Sequence, residues 1–392
     1  MSLLTTWHII TCEYPPRVGG VSDYSQLVAE GLADAGDEVH VWCPSLPQVA
    51  VSNGVNVHPD LGCLAPRDLR AVDHLLDGFA PPRRLLVQWV PHGFGYHSMN
   101  LPFCLWLHQR ARRGDCVDLM VHEPYLAFRR GPLRHVAMAV VHRLMTVVLL
   151  NAASRIWIAT PAWQRLLCRY TLGRNVPFAW LPISSSVRPG ASERAQAIRK
   201  HYLTDGDALI GHFGTFGPPV APLLREQLAA MIRSRLKPSF LLVGVGSEGF
   251  RADLIDHEPA FSGRLHATGV VAPSDLGSYL RACDLVVQPY PDGITARRTS
   301  AIASLSLGIP IVTTNGHLTE SFWSETGAVL LADVTNPLAF TQHVERLLGD
   351  ESERRRVGER GRALYERRFD LRYTIAALRN GQDTERTKRW RR

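Results

Sequence analysis

Residues 284–314, DLVVQPYPDGITARRTSAIASLSLGIPIVTT, constrain the fold more than any other stretch. Leu285, Val286 and Val287 form a short apolar run, which suits a strand buried on both faces. Pro289, Pro291 and Gly293 then break regular structure. Thr299 or Ser300 can cap a following helix, with Ile302 and Leu305 on its core face. Gly308 stops that helix, Pro310 follows, and Ile311-Val312 opens a second strand. Strand, helix and strand in this order require a parallel pair joined by a crossover. The loop ahead of the helix presents Asp292, Arg297, Arg298, Thr299 and Ser300 at a helix start. Unpaired N–H groups and the helix dipole there favour an anion such as a diphosphate. An ordinary connecting loop with solvated arginines would read the same way.

The same unit recurs along the chain. Strands are expected at 7–11, 39–42, 85–89, 117–121, 155–159 and 179–181. The first runs into a loop over 12–24 containing Pro15-Pro16 and Gly19-Gly20, and a helix then carries Leu27, Val28 and Leu32 to Gly36. A Ser-, Pro- and Gly-containing linker is expected at 183–195. A second series follows, with strands at 208–213, 239–243, 265–270, 285–287, 311–312 and 328–331. Helices are expected at 223–235, 274–281, 337–348 and 352–369, ahead of a basic, frayed tail at 384–392. Two alternating series on either side of a linker predict two Rossmann-like parallel-sheet α/β domains, at 1–185 and 186–370. Ligands of such sheets bind at the carboxyl ends of strands, where all the loops named here lie.

The 392 residues are 45% hydrophobic and 20% charged, which excludes a disordered chain and permits two cores. A net charge of +8 fits anionic partners without choosing among them. The seven cysteines form no Cys-x-x-Cys pair, so neither a disulfide framework nor a zinc site is expected, and a reducing compartment is. The first sixteen residues lack the pattern of a signal peptide. Residues 136–150 are the most apolar, but His142 and Arg143 interrupt them and argue against a transmembrane span. With Arg129, Arg130 and Arg134 nearby, this segment suits either an anionic membrane surface or a solvated helix face. Nucleic acid is not an expected partner, because no aromatic platform is interleaved with the basic residues.

Gly244-x-Gly246-x-x-Gly249 matches the dinucleotide fingerprint by letter. No acidic residue ends the next strand to hold a ribose, which argues against a nicotinamide cofactor. His122-Glu123 ends a strand, where a histidine could hydrogen-bond a substrate hydroxyl or serve the structure alone. Arg297 and Arg298 beside Thr299 and Ser300 could clamp a diphosphate, with His212 and Thr215 as neighbours.

These loops together resemble the GT-B glycosyltransferases, specifically the large retaining family 4. The resemblance is carried by the 15–24 stretch PPRVGGVSDY, Gly36-Asp37-Glu38-Val39-His40-Val41, Leu241-Leu242-Val243-Gly244-Val245-Gly246, Gly269-Val270-Val271, the 282–289 stretch ACDLVVQP, Gly308-Ile309-Pro310, and Gly316-His317-Leu318-Thr319-Glu320. It covers nearly the whole chain. It implies two Rossmann-like domains facing across a cleft, with residues 371–392 crossing back to the first. It implies a hexosyltransferase that moves a sugar from a nucleoside-diphosphate sugar to a glycan or lipid-linked acceptor, with retention and without a metal or other cofactor. The reducing compartment read from the cysteines makes a cytoplasmic place the expectation, at the inner face of the membrane where the 136–150 segment is read as membrane-facing. By the resemblance Gly19 and Gly20 serve the donor diphosphate, and from their place at the strand ends Thr215, Arg297, Arg298, Thr299 and Ser300 are expected to join them. Gly244, Gly246, Val270 and Glu320 serve the nucleotide and sugar. His122 lies by the transferred sugar in the resemblance and is expected, with Asp292, to be catalytic, and Tyr24, His92 and Glu123 are expected to face the acceptor. Two departures stand out. The family's Glu-x7-Glu positions hold Thr295 and Ala303, and no Arg or Lys follows the first strand of the second domain. Arg297 and Arg298 are expected to replace that charge, and Asp292 part of the sugar-binding role. A catalytically silent nucleotide-sugar-binding scaffold and a sugar-nucleotide epimerase are the alternatives.

Overall fold

The computed structural model describes residues 5–17, 19–46, 54–128, 132–203, 208–233 and 238–380. The chain divides into two units, Met1–Ser184 with Leu371–Arg392, and Ser185–Asp370. Arg129 and Arg130 and the basic tail at 384–392 lie outside the described residues.

The first unit is built on β1 (Thr6–Thr11), β2 (Glu38–Trp42), β3 (Val55–His58), β4 (Arg84–Trp89), β5 (Cys116–Val121), β6 (Arg155–Ile158) and β7 (Phe178–Trp180). All pair in parallel, in the order β3-β2-β1-β4-β5-β6-β7. Its helices are α1 (Gly20–Asp34), α2 (Pro66–Asp77), α3 (Leu101–Arg112), α4 (Leu133–Ala152) and α5 (Ala162–Leu167). The helix expected after Tyr24 starts earlier, at Gly20, so Gly20–Tyr24 is not loop. Tyr24, Ser25, Val28, Ala29 and Leu32 are buried on its inner face, while Leu27 is only partly covered.

Helix α4 outruns the apolar stretch read from the sequence. It is long and apolar enough to cross a membrane by length and composition, with 33% of its most apolar window buried. Its midpoint His142 is buried, close to Ser98 O (2.8 Å) and accepting from the Leu126 N–H (3.2 Å). One face therefore packs in the unit, while Leu133, Val136, Val140 and Leu144 on the other are exposed.

The second unit is built on β8 (Leu209–Phe213), β9 (Ser239–Val243), β10 (Leu265–Ala267), β11 (Leu285–Gln288), β12 (Ile311–Asn315) and β13 (Leu330–Asp333). They form a parallel sheet in the order β10-β9-β8-β11-β12-β13. Along β9, Phe240 and Leu242 join one core with Leu224 and Leu228, while Leu241 and Val243 join another with Ile198 and Leu209. Both faces are thus covered, as a near-continuous apolar strand requires. The helices are α6 (Ser192–Tyr202), α7 (Ala221–Ile232), α8 (Ser247–His257), α9 (Pro273–Arg281), α10 (Thr299–Ser306), α11 (Phe322–Thr326), α12 (Pro337–Gly349) and α13 (Glu351–Arg368). Helix α6 begins inside the expected linker. Strand β10 ends at Ala267 rather than 270, because Gly269 turns the chain at φ +63°. Thr299 and Ser300 are helical rather than capping, and Arg298 holds the cap position.

The chain then returns to the first unit as α14 (Leu371–Asn380). Ile375 and Leu378 enter the first unit's core, and Arg379 pairs with Asp37 at 3.1 Å. In both sheets the strand order reverses beside the first strand of its series, between β1 and β4 and between β8 and β11. Such a switch point leaves a crevice at the carboxyl ends of the two strands.

Candidate functional site

In the second unit the crevice lies between the loops that follow β8 and β11. The Gly214 N–H donates to Val243 O (3.1 Å), and the Gly244 N–H to Gly269 O (3.2 Å), so the loops after three neighbouring strands are tied side by side. A Cβ on Gly244 would sit 2.4 Å from Gly214 O, which leaves room only for glycine. Gly246 adopts φ +85° and starts α8. Val270 is 71% exposed beside this loop, and Thr215 is also exposed.

The loop after β11 is held by the end of β12 and the loop that follows it. The Tyr290 N–H donates to Thr314 Oγ1 (2.8 Å), the Ile294 N–H to Thr314 O (2.9 Å), and the Leu318 N–H to Asp292 O (3.0 Å). Glu320 completes the brace. It is 7% exposed, and accepts from the Ala296 N–H at 3.2 Å and from Trp323 Nε1 at 2.9 Å. Its carboxylate thus faces the interior, where it shapes the 292–298 loop, and a direct contact with nucleotide or sugar has no support in this arrangement. Burial pushes its pKa up to about 7, against the opposing pull of the two bonds and of Arg297.

A carboxyl whose folded pKa is raised contributes stability that is full below its unfolded value. That stability is lost as pH rises through the folded value. The window runs from about 4.5 to about 7. At roughly 1.4 kcal/mol per pKa unit the loss is on the order of 3 kcal/mol. Glu320→Gln cannot ionise, so the gap in unfolding free energy between it and wild type should move by that amount between pH 4.5 and 7 and stay level above. A constant gap across the window would contradict the assignment.

At the start of α10 the arginines meet a small polar cluster. Arg298 lies over the Tyr290 ring (4.5 Å) and 3.7 Å from Asp292, and its Nε has no hydrogen-bond partner among the described residues. Tyr290 OH and Ser300 Oγ are 2.8 Å apart. Gln288, fully buried, donates to Phe213 O (3.0 Å) and so ties β11 to the end of β8. Asp292 is half-exposed and also lies 4.0 Å from His317. Thr299 is exposed beside Arg298. The arrangement is a cation, hydroxyls and a helix N-terminus around one strand end, which suits an oxyanion. Thr295 and Ala303 are both buried in the core beneath it.

In the first unit the start of α1 already holds an anion. Glu13 accepts from the Ser22 N–H at 3.0 Å, and a Cβ on Gly19 would lie 2.3 Å from its carboxylate oxygen. Glu13 therefore occupies the place at Gly19-Gly20 expected for the donor diphosphate, and a second anion there would be repelled. His122 lies 2.8 Å from Gln88 Oε1, and burial holds its pKa down at about 3. It is a neutral imidazole in contact with the edge of Tyr24, at 5.2 Å. Tyr24 is 3% exposed, so its hydroxyl is turned away from any solvent-borne acceptor. His92 is exposed and packs on His142 instead (5.3 Å), and Glu123 is half-buried next to His122 in sequence. The structure thus brings His122 and Tyr24 together, while His92 has a different neighbour.

Glu13, Gln88, Gln288 and Tyr290 were missed by sequence reasoning. A polar residue at or next to the end of an otherwise apolar strand, as Gln88 and Gln288 are, was the available signal. Among the described residues no group of three or more His, Cys, Asp or Glu side chains is placed to hold a metal ion.

Residues 208–350 match the family model for glycosyl transferases group 1. The matched residues make up most of the second unit and include the strand ends and the α10 start described above. No curated protein matches the sequence. Solved structures share the fold over nearly the whole length. Sucrose-phosphate synthase from Thermosynechococcus elongatus has a TM-score of 0.75 at 16% identity, covering 95% of this chain and 97% of that one. Anabaena Alr3699/HepE in complex with UDP-glucose has a TM-score of 0.66 at 16% identity, covering 96% and 98%. The UDP-forming alpha,alpha-trehalose-phosphate synthase from Burkholderia xenovorans, in complex with glucose-6-phosphate, has a TM-score of 0.63 at 13% identity, covering 96% and 98%. At these identities the likeness concerns the fold, which is the two-domain, Rossmann-like GT-B architecture.

Proposed function

We propose that this protein is a glycosyltransferase that moves a hexose from a nucleoside-diphosphate sugar to a hydroxyl of a glycan or lipid-linked acceptor, with retention at the anomeric carbon and without a metal. The observation that carries the reading is Arg298, whose Nε has no partner among the described residues, at the start of α10 and at the switch point of the matched domain. Arg297, Arg298, Thr299, Ser300 and Thr215 bind the diphosphate; Gly244, Gly246 and Val270 flank the nucleotide; Asp292 meets the sugar. In the reaction the bond from C1 to the diphosphate oxygen breaks and one from C1 to the acceptor oxygen forms on the same face. The acceptor proton leaves to the diphosphate. Neutral His122 hydrogen-bonds the sugar, and His92 and Glu123 serve the acceptor.

The acceptor reading draws on the surface of α4. Its exposed Leu133, Val136, Val140 and Leu144 form one stripe at helical spacing. Between Glu123 and Glu193 the chain has nine arginines and no carboxylate, so the stripe lies in a purely cationic segment. That combination fits peripheral contact with an anionic membrane on the cytoplasmic side. The silent-scaffold alternative rests on Thr295 and Ala303, which stand where carboxylates are expected.

The deciding experiment is a thermal-shift panel of UDP- and GDP-sugars, followed by turnover of the best donor with and without anionic lipid vesicles and lipid extract. A ligand of the native state raises the melting temperature by mass action. One donor should do so and be consumed faster with lipid. Tight binding without turnover under any condition would favour the scaffold. No shift with any donor would remove the donor-site reading.

A further inference from the structure

One buried polar atom of the second unit is unused by the roles above. His212, on β8, is 2% exposed. Its Nδ1 lies 2.8 Å from Val287 O. A carbonyl only accepts, so Nδ1 carries the hydrogen and Nε2 presents a lone pair. Nε2 has no hydrogen-bond partner among the described residues. It lies beside Gly214, where a Cβ would touch both His212 Nε2 (3.9 Å) and Ser300 Oγ (4.0 Å). Phe216 packs on the imidazole with ring centroids 5.3 Å apart. A buried acceptor without a donor costs about 1–3 kcal/mol, and such atoms in native proteins call for an explanation.

We propose that His212 Nε2 accepts a hydrogen bond from a hydroxyl group of the bound nucleotide sugar, making the end of β8 a hydroxyl subsite beside the diphosphate. This rests on the donor-site reading and deepens it. The chemistry of the atom selects the ligand group. An ionised phosphate has only acceptors to offer and is repelled by a lone pair, whereas a hydroxyl supplies the missing hydrogen. Ser300 Oγ, which the same Cβ would touch, can accept from or donate to that hydroxyl. Burial keeps the imidazole neutral, with a pKa of about 4, so the lone pair persists at physiological pH. The diphosphate then lies toward Arg298 and the α10 start, and a hydroxyl toward His212. A ribose hydroxyl and a hydroxyl of the transferred sugar share this chemistry.

Titration calorimetry with UDP and UDP-glucose, and with GDP and GDP-mannose, separates the outcomes. Wild type is compared with His212→Phe, which removes the lone pair, and His212→Gln, whose carbonyl can replace it. Losing one hydrogen bond should weaken binding about 3- to 10-fold in His212→Phe, with most of the affinity kept in His212→Gln. Weakening of both nucleotide and nucleotide sugar assigns the ribose, and weakening of the nucleotide sugar alone assigns the transferred sugar. Either supports the proposal. A folded His212→Phe protein that binds every probe as wild type does overturns it. If that variant does not fold, nitrogen NMR on the wild-type histidine decides. The Nε2 resonance should move when ligand is added, and a stationary resonance in a saturated complex overturns the proposal. Wild-type protein that binds none of the four probes overturns the donor-site reading itself, which is a separate result.

Discussion

Replacing Arg298 by alanine is expected to weaken nucleotide-sugar binding by about 10- to 100-fold, the effect of losing one charged hydrogen-bonding partner worth roughly 1.5–3 kcal/mol. Among the described residues its one ion pair is the 3.7 Å contact with half-exposed Asp292, too long and too solvated to satisfy the guanidinium. Its stacking on Tyr290 fixes the direction of the group without using its donors. An arginine held in place with donors to spare, next to the N–H groups of a helix start, is preorganised for a diphosphate. Structural damage from the substitution should be modest, limited to a cation–π contact of about 0.5–2 kcal/mol. Arg298→Lys keeps the charge and loses the planar fork, so it should fall between wild type and alanine. Calorimetry with UDP-glucose at two salt concentrations tests this, and wild-type affinity in a folded Arg298→Ala protein would end the role of Arg298 as the diphosphate's cation.

That arginine was visible in the sequence because helix starts and turn residues leave local marks. Pro289, Pro291 and Gly293 announce the loop, and Gly308 with Pro310 closes the helix, so the neighbourhood of Arg298 could be read without knowing what packs on it. The apolar runs of β9 and β11 were legible for a similar reason, since strands buried on both faces carry no alternation to misread. Side-chain direction is another matter. Glu320 reads as a carboxylate at a strand-end turn, and only packing turns it inward to Ala296 and Trp323. Tyr24 reads as a loop tyrosine, yet α1 begins at Gly20 and rotates it into the core. Glu13 lies nine residues before its partner Ser22, and no spacing rule connects them. Nor does the order of strands in a sheet follow from their order in the chain. The switch point between β8 and β11, which puts His212 next to Ser300, became apparent only from the sheet pairing.

The first unit should lose about 4 kcal/mol of stability between neutral pH and pH 5, because two histidines must be neutral to stay folded. His8 is 1% exposed and accepts a hydrogen bond at Nδ1 from Trp42 Nε1 at 3.2 Å. Burial first, and then the neighbouring charges of His40 and His58, lower its pKa from 6.5 to about 3. Burial alone does the same to His122. The folded state therefore binds fewer protons than the unfolded state between about pH 3 and 6.5. Stability is full above 6.5 and falls as pH drops, by roughly 1.4 kcal/mol per unit for each histidine. At pH 5 that amounts to about 2 kcal/mol for each. Glu320 pulls the other way but belongs to the second unit. In the first unit Asp23 and Asp118, raised by burial, oppose the histidines, while His58 and His142, lowered by burial, act with them. Intrinsic fluorescence separates the two units, since Trp7, Trp42, Trp89, Trp106, Trp157, Trp163 and Trp180 lie in the first unit and, among the described residues, only Trp323 in the second. Urea unfolding followed by tryptophan emission at pH 7.5, 6 and 5 should show the midpoint falling with pH. His8→Phe cannot take up the proton, so its pH slope should be shallower by about one histidine's share, whatever its stability at pH 7.5. A midpoint that holds steady from pH 7.5 to 5 would mean that neither histidine is kept neutral by the fold. The neutral imidazole assigned to His122 beside Tyr24 would then have to be abandoned.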